Sequence, residues 1–439
     1  MKISAIADVG VIAVGTEQSI SVLLDVTAPV VQPAQERAAQ SVQIVLDRSG
    51  SMGGDRLDAA RQAIAALVRR LSPDDAFGLV VFDDQAQVAV PNRRMREHDV
   101  AEVLNIVNRI HSGGSTDISA GYTLGLSEAR RNTPAGGATV IVLSDGHANA
   151  GVRDAQAFTQ LAANAVATSI TTSTIGIGRG YNEFLLDAMA SGGEGNNLYA
   201  EQDDSAIALL LDQVDGLLTK SAMNAHLRFR SLTGQPAASF VTVLQRLRGW
   251  SEGADLVVHL GDLISGETRR YVVDIAVPAR TDIGELPLVD VVLEYLAVPS
   301  LEQHSVTTTL SVVVSADETD VVVANPQVRI ERLLAELQNT KRTAVDAMAL
   351  GHDDDAITGL SRARESLMAS LASVDSDIDS ATRERALEEI VDLQEIERRM
   401  QRADRESSMK FAMENWSQKS RGRKRREFIV EDDDDSSRS

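Results

Sequence analysis

The spacing of apolar positions changes character three times along the chain. Between residues 41 and 219, short unbroken apolar runs alternate with segments whose apolar positions recur every three or four residues. "VQIVLD" (42–47), "AFGLVVF" (76–82), "ATVIVLSD" (138–145) and "SITTSTIGIG" (169–178) read as strands buried on both faces. "QVAVP" (87–91) and "NLYAE" (197–201) read as shorter strands. "RLDAARQAIAALVRRL" (56–71) places Leu57, Ala60, Ile64, Leu67, Val68 and Leu71 on one helical face. Further helices are predicted over 99–110, with Asp99 as N-cap, and over 118–131, 153–167, 182–190 and 204–219. This alternation predicts an α/β unit, a doubly wound and mainly parallel sheet with helices on both faces.

The flanks obey other rules. Residues 1–40 hold two strand-like runs, of which "SISVLLDVTAP" (19–29) is the clearer, and Pro29 and Pro33 then break the strand pattern. Residues 220–323 carry "NAHLRFR" (224–230), "DLVVHL" (255–260), "RRYVVDIAV" (269–277), "LVDVVLEYLAV" (288–298) and "SVTTTLSVVV" (305–314), separated by turn residues. They predict an antiparallel β-sandwich, completed by the strands of 1–40, so that the 41–219 unit is an insertion in a β-domain. Residues 324–416 read as helical. Asn325 is the expected N-cap, Pro326 takes the first helical position, and Gly351 ends the helix. A second helix is expected over about 354–372 and one long third helix over about 378–416. Residues 417–439, with basic "RGRKRR" (421–426) and acidic "EDDDDSSRS", are expected to be a disordered tail.

Composition narrows the function. The chain has 439 residues, enough for several domains, and 43% apolar residues, enough for real cores. A net charge of −21 argues against sequence-independent nucleic-acid binding. The absence of cysteine removes disulfides, thiolate nucleophiles and zinc–thiolate sites, and fits a cytoplasmic protein. "MKISAIADVGVIAVG" is broken by Asp8 and is expected to be a strand rather than a secretory signal. No stretch reaches the roughly 18 apolar residues of a membrane span.

The candidate chemistry lies at the ends of the apolar strands. In an open parallel sheet, ligands bind beyond the carboxyl ends of the strands. Asp47, Ser49 and Ser51 follow the first strand of the α/β unit. Thr116 lies in the glycine-rich loop "GGSTD" (113–117) before a helix, and Asp145 follows "VIVLS". Two carboxylates and three hydroxyls are hard oxygen donors. They suit Mg²⁺, Mn²⁺ or Ca²⁺ and suit zinc or copper poorly. A coordination position left open could accept a carboxylate from another protein.

This set of residues resembles the von Willebrand factor type A domain and its metal-ion-dependent adhesion site. The family's DxSxS corresponds to Asp47, Ser49 and Ser51, its loop threonine to Thr116 in "SGGSTDISAG", and its later aspartate to Asp145 in "VLSDGHANAG". The resemblance covers roughly residues 41–219 and all five site elements. It implies a non-enzymatic scaffold that holds Mg²⁺ (or Mn²⁺ or Ca²⁺) and captures an exposed Asp or Glu of a protein partner. The family also supplies adaptors for separate AAA+ ATPases in remodelling or metal insertion; this chain has no G-x-x-x-x-G-K phosphate loop of its own. The flanking β-region resembles bacterial proteins with this domain inserted in a β-sandwich.

A Mg²⁺-dependent phosphatase is the enzyme to weigh. Haloacid-dehalogenase-type enzymes need a second carboxylate two residues after the first, where this chain has Ser49. They also need a lysine, and there is none between Lys2 and Lys220. Weaker signals have plainer readings. "GIGRG" (176–180) reads as a turn, His147 as a surface histidine without a role rather than one that tunes the rim, and "FDD" (82–84) as a solvated turn after a core Phe82. The leucine and methionine stripes of the helical region read as intramolecular packing. The acidic tail has the chemistry of a pseudo-ligand for the protein's own metal site.

Overall fold

The computed structural model describes residues 1–30, 38–134, 136–145, 148–178, 182–200, 203–317, 325–374, 377–401 and 405–420. Strands β1 (Lys2–Ala7), β2 (Val11–Ala13) and β3 (Gln18–Thr27) come first. The α/β unit runs β4 (Ser41–Asp47), α1 (Asp55–Arg70), β5 (Ala76–Phe82), β6 (Ala86–Arg94), α2 (Val100–Asn108), α3 (Ile118–Arg131) and β7 (Ala138–Ser144). It continues with α4 (Ala155–Val166), β8 (Ile170–Ile177), α5 (Glu183–Gly192), β9 (Glu194–Ala200) and α6 (Asp203–Leu218). Next come β10 (Lys220–Ser231), β11 (Val241–Val243), β12 (Gly249–Glu252), β13 (Asp255–Ile264), β14 (Thr268–Val277), β15 (Gly284–Ala297) and β16 (Gln303–Ser315). The last elements are α7 (Pro326–Leu350), α8 (Asp353–Ser373), α9 (Ser380–Gln401) and α10 (Arg405–Lys419).

The central sheet has the order β6-β5-β4-β7-β8-β9. Its ladders are parallel except for β5 with β6. Alternate residues of β4 enter two cores. Ile44 and Leu46 meet Leu57, Ile64, Val107 and Leu210 on one face, so α1, α2 and α6 cover that side. Val45 meets Leu126, Phe158 and Leu186 on the other, so α3, α4 and α5 cover it. The expected doubly wound sheet is therefore present, and the continuous apolar strands are explained by burial on both faces. Gly121 and Gly125 let α3 lie close on the sheet, because a Cβ at either would collide with Phe82 or Val45.

The flanking strands form a sandwich of two sheets, ordered β1-β3-β14-β11 and β12-β13-β10-β15-β16-β2 over the described residues, with antiparallel ladders except that edge strand β2 runs parallel to β16. Leu24, Tyr271 and Ile275 of one sheet share a core with Leu227, Phe229 and Leu293 of the other. β3 pairs with β14 along ten residues, from Thr27↔Thr268 to Gln18↔Val277. The chain segments before and after the α/β unit thus build one sandwich. Strands β11 and β12 are too short for an alternation pattern to mark them.

Helix α7 begins as the sequence indicates: the Asn325 side chain accepts from Gln327 N and Val328 N, and Gly351 closes it with φ 89°. Its apolar stripe (Leu334, Leu337, Val345, Met348) is buried in a core shared with α8, α9 and α10. Two expectations need correction. The region predicted as one long helix over 378–416 contains two described helices, α9 and α10, and α10 folds back against both α7 and α9. The segment beginning at residue 417 is not tail throughout, since α10 continues to Lys419. Lys419 Nζ is anchored to Glu389 Oε2 at 2.7 Å and Asp392 Oδ2 at 2.6 Å. Residues 421–439, with the basic and acidic runs, lie outside the described residues.

Helix α10 joins all three parts. Glu414 Oε1 accepts from Tyr199 N of edge strand β9 at 3.4 Å, which covers backbone that would otherwise be open to another strand. Trp416, 3% exposed, lies 4.9 Å from the guanidinium of Arg342 in α7 and 5.2 Å from that of Arg246 in the sandwich.

Candidate functional site

The carboxyl edge of the central sheet gathers three loops. The first leaves β4 at Asp47, which is fully buried. Its Oδ1 accepts from Ser49 N at 2.8 Å and its Oδ2 from Ser144 Oγ at 2.6 Å. Burial pushes the Asp47 carboxyl up to about 6; the hydrogen bonds from Ser144 and Ser49 oppose that rise, and the neighbouring charge of Asp145 adds to it. Ser49 is 1% exposed, and its Oγ lies 3.2 Å from that of the exposed Ser51.

The second loop carries Thr116, 1% exposed, just before the α3 N-cap Asp117. Gly50 N donates to Gly114 O at 2.9 Å and Gly113 N to Arg48 O at 2.6 Å, which ties this loop to the first. The third loop leaves β7 at Asp145, fully buried. Asn149 holds the second and third loops together: its Oδ1 accepts from Thr116 N at 2.7 Å, and its own N donates to Thr116 O at 3.2 Å.

One oxygen stands out. Asp145 Oδ2 accepts from Arg56 Nη1 at 3.1 Å, but Oδ1 is buried with no hydrogen-bond partner among the described residues. A buried carboxylate oxygen without a donor is costly. A hard cation would satisfy it, so the donors present fit a divalent ion bound by oxygen. No cluster of three or more His, Cys, Asp or Glu able to hold a metal occurs among the described residues. The five-residue set would need its hydroxyls as ligands.

A family model for the von Willebrand factor type A domain matches residues 41–213. Residues 41–213 form a von Willebrand factor type A domain. The chain also superposes on the von Willebrand factor type A protein of Catenulispora acidiphila with a TM-score of 0.69 at 18% identity, over 84% of this chain and 87% of that one. It superposes on the ArnB paralog VWA2 of Sulfolobus acidocaldarius with a TM-score of 0.64 at 15% identity, over 94% and 97% of the two chains. These two likenesses concern the fold. In sequence, the uncharacterized Synechocystis sp. protein sll0103 is 27% identical over 255 residues, 56% of this chain and 60% of that one. The mouse inter alpha-trypsin inhibitor heavy chain 4 is 27% identical over 180 residues, 39% of this chain and 19% of that one. The chain therefore spans about three-fifths of one curated relative and about a fifth of the other.

Several residues around the site of the von Willebrand factor type A domain are not singled out by sequence. Ser144, Asn149 and Arg56 carry no motif signal; each is recognised only by what it touches. Asp83 is a correction. At "FDD" Phe82 is core and Asp84 is exposed as expected, but Asp83 is a buried anchor, 5% exposed and paired with Arg48 at 3.0 Å. Burial would raise its carboxyl, but the Gln85 amide and the Arg48 charge outweigh that and hold it below its ordinary value. Its backbone oxygen accepts from Asp117 N at 2.7 Å, so it braces the Thr116 loop. His147 and residues 179–180 of "GIGRG" lie outside the described residues. No helix among the described residues is long and apolar enough to cross a membrane.

Proposed function

We propose that the von Willebrand factor type A domain holds a divalent cation at Asp47, Ser49, Ser51, Thr116 and Asp145, and through it binds an acidic side chain of a protein partner. The observation that carries this reading is the donorless, buried Oδ1 of Asp145 near the buried Asp47 carboxylate, on loops hydrogen-bonded to those that carry Ser49 and Thr116. The all-oxygen donor set suits Mg²⁺, Mn²⁺ or Ca²⁺. The bound ion would supply a positive charge with solvent-exchangeable positions, open to a partner's carboxylate.

The protein acts here as a scaffold rather than an enzyme. Ser49 stands where a phosphatase's acid/base carboxylate would be, and the α/β unit contains no lysine to steady a phosphate. A cytoplasmic setting accords with the cysteine-free sequence.

The test has two steps. Calorimetric titration of Mg²⁺ into chelator-treated protein should show one site that the Asp47→Ala, Asp145→Ala double variant lacks. Immobilised protein should then retain a partner with Mg²⁺ and release it with EDTA, and the double variant should retain none. A partner held equally in all three conditions would move the interaction away from this edge.

A further inference from the structure

Arg56 reaches the site from the first turn of α1. Its Nη1 donates to Asp145 Oδ2 at 3.1 Å and to Ser51 O at 3.3 Å. It thus touches two of the three loops that build the site. Its side chain is 33% exposed while that of Asp145 is fully buried, so the guanidinium extends in from the rim to meet a carboxylate that water does not reach.

Two other arginines near this edge are engaged elsewhere. Arg48 pairs with Asp83, and Arg153 donates to Asn149 O. The Arg56 seat is also shaped. Gly178, with φ 76°, lies directly against the guanidinium, and a Cβ there would come within 2.8 Å of Arg56 Cζ. Glycine lets the flat guanidinium rest on the backbone at the end of β8.

We propose that Arg56 is a resident counter-ion of the metal site, which neutralises Asp145 while the site is empty and is displaced from that carboxylate when a divalent cation binds. The inference rests on the metal-site reading above and concerns how that site is loaded. Two buried carboxylates with no cation nearby would repel each other and lack solvation. One guanidinium removes half of that charge and keeps the empty site folded. The same guanidinium then competes with an incoming ion. A monovalent cation gains little by exchanging one positive charge for another, whereas a divalent cation gains a second charge. Arg56 would thereby favour divalent ions and set the concentration at which the site fills.

The experiment is calorimetric titration of Mg²⁺ into full-length, EDTA-treated protein at low ionic strength, comparing wild type, Arg56→Gln and Arg56→Lys. Removing a partly exposed competing charge should tighten Mg²⁺ binding of Arg56→Gln about fivefold or more. Arg56→Lys, which keeps the charge, should stay near wild type. Thermal unfolding in EDTA should show Arg56→Gln melting lower than wild type, with the gap closing when Mg²⁺ is saturating. Equal or weaker Mg²⁺ affinity in Arg56→Gln overturns the counter-ion role while leaving the metal site standing. No Mg²⁺ binding by wild type or either variant overturns both readings. A variant-free check is a crystal structure of wild-type protein soaked in Mn²⁺. The Arg56 guanidinium should have left Asp145; a guanidinium still bonded to Asp145 Oδ2 beside a bound ion overturns the proposal.

Discussion

Ser144 Oγ donates to Asp47 Oδ2 at 2.6 Å, joining the ends of two adjacent parallel strands at the buried carboxylate. This bond and the one from Ser49 N hold both oxygens of Asp47 in fixed directions. The carboxylate is oriented before any ligand arrives, which lowers the cost of ordering a site.

The same residue sets a pH dependence. Burial raises the Asp47 carboxyl to about 6 in the folded, metal-free protein, against about 3.9 in an unfolded chain. Between these values the folded state holds a proton that the unfolded state has lost. Asp47 therefore favours folding at low pH, and that contribution disappears as pH rises through about 6. A divalent ion competes with this proton, so Mg²⁺ affinity should fall by about tenfold per unit as pH drops below about 6. Titrations between pH 5 and 7.5 check this; affinity constant across that range would contradict it.

Asn149 should matter more to metal binding than to folding. Its side chain accepts from Thr116 N and so sets the position of the Thr116 hydroxyl. Asn149→Ala is expected to weaken Mg²⁺ binding about 10–100-fold, as loss of an orienting partner does. The stability loss should be only about 1–3 kcal/mol. Calorimetry and urea unfolding on the same samples separate the two effects.

Trp416 should govern the docking of α10. Its ring is buried between Arg342 and Arg246, and two residues earlier Glu414 reaches the Tyr199 amide. Trp416→Ala is expected to cost about 3–5 kcal/mol. Hydrogen exchange should rise in the peptide spanning β9, where loss of the helix exposes the edge strand. Unchanged exchange there would show that α10 does not protect this edge.

Within the helical region, Glu389 is predicted to be the most sensitive charge. It is 1% exposed and pairs with both Lys341 and Lys419. Glu389→Gln leaves Asp392 as the one nearby carboxylate for the two ammonium groups of Lys341 and Lys419, and should cost about 3–5 kcal/mol. Lys341→Met leaves Glu389 still paired with Lys419 and should cost less. Urea unfolding of the two variants tests the order, and the reverse order would refute it.

Much of the architecture is legible in the sequence, for a physical reason. Strands β4, β5 and β7 are buried on both faces and must be apolar at every position, while α1 buries one stripe and shows it at helical spacing. Asp99 and Asn325 announce helix starts because unpaired amides at a helix end need a nearby oxygen. The five candidate ligands are legible because short motifs place them at strand ends and in loops. Relationships across long chain separations leave no such mark. Nothing local identifies Ser144 as the partner of Asp47, Asn149 as the support of Thr116, or Arg56 as the cation on Asp145. Asp83 reads as solvated because a carboxylate in a turn usually is, and its burial depends on Arg48 and the α3 loop closing over it. The split between α9 and α10 escapes because helical periodicity reports which face is apolar and not where the chain reverses. Local hydrophobic pattern thus determined the elements and their buried faces. Only tertiary contact decided which polar groups meet, because burial and charge pairing belong to the assembled fold.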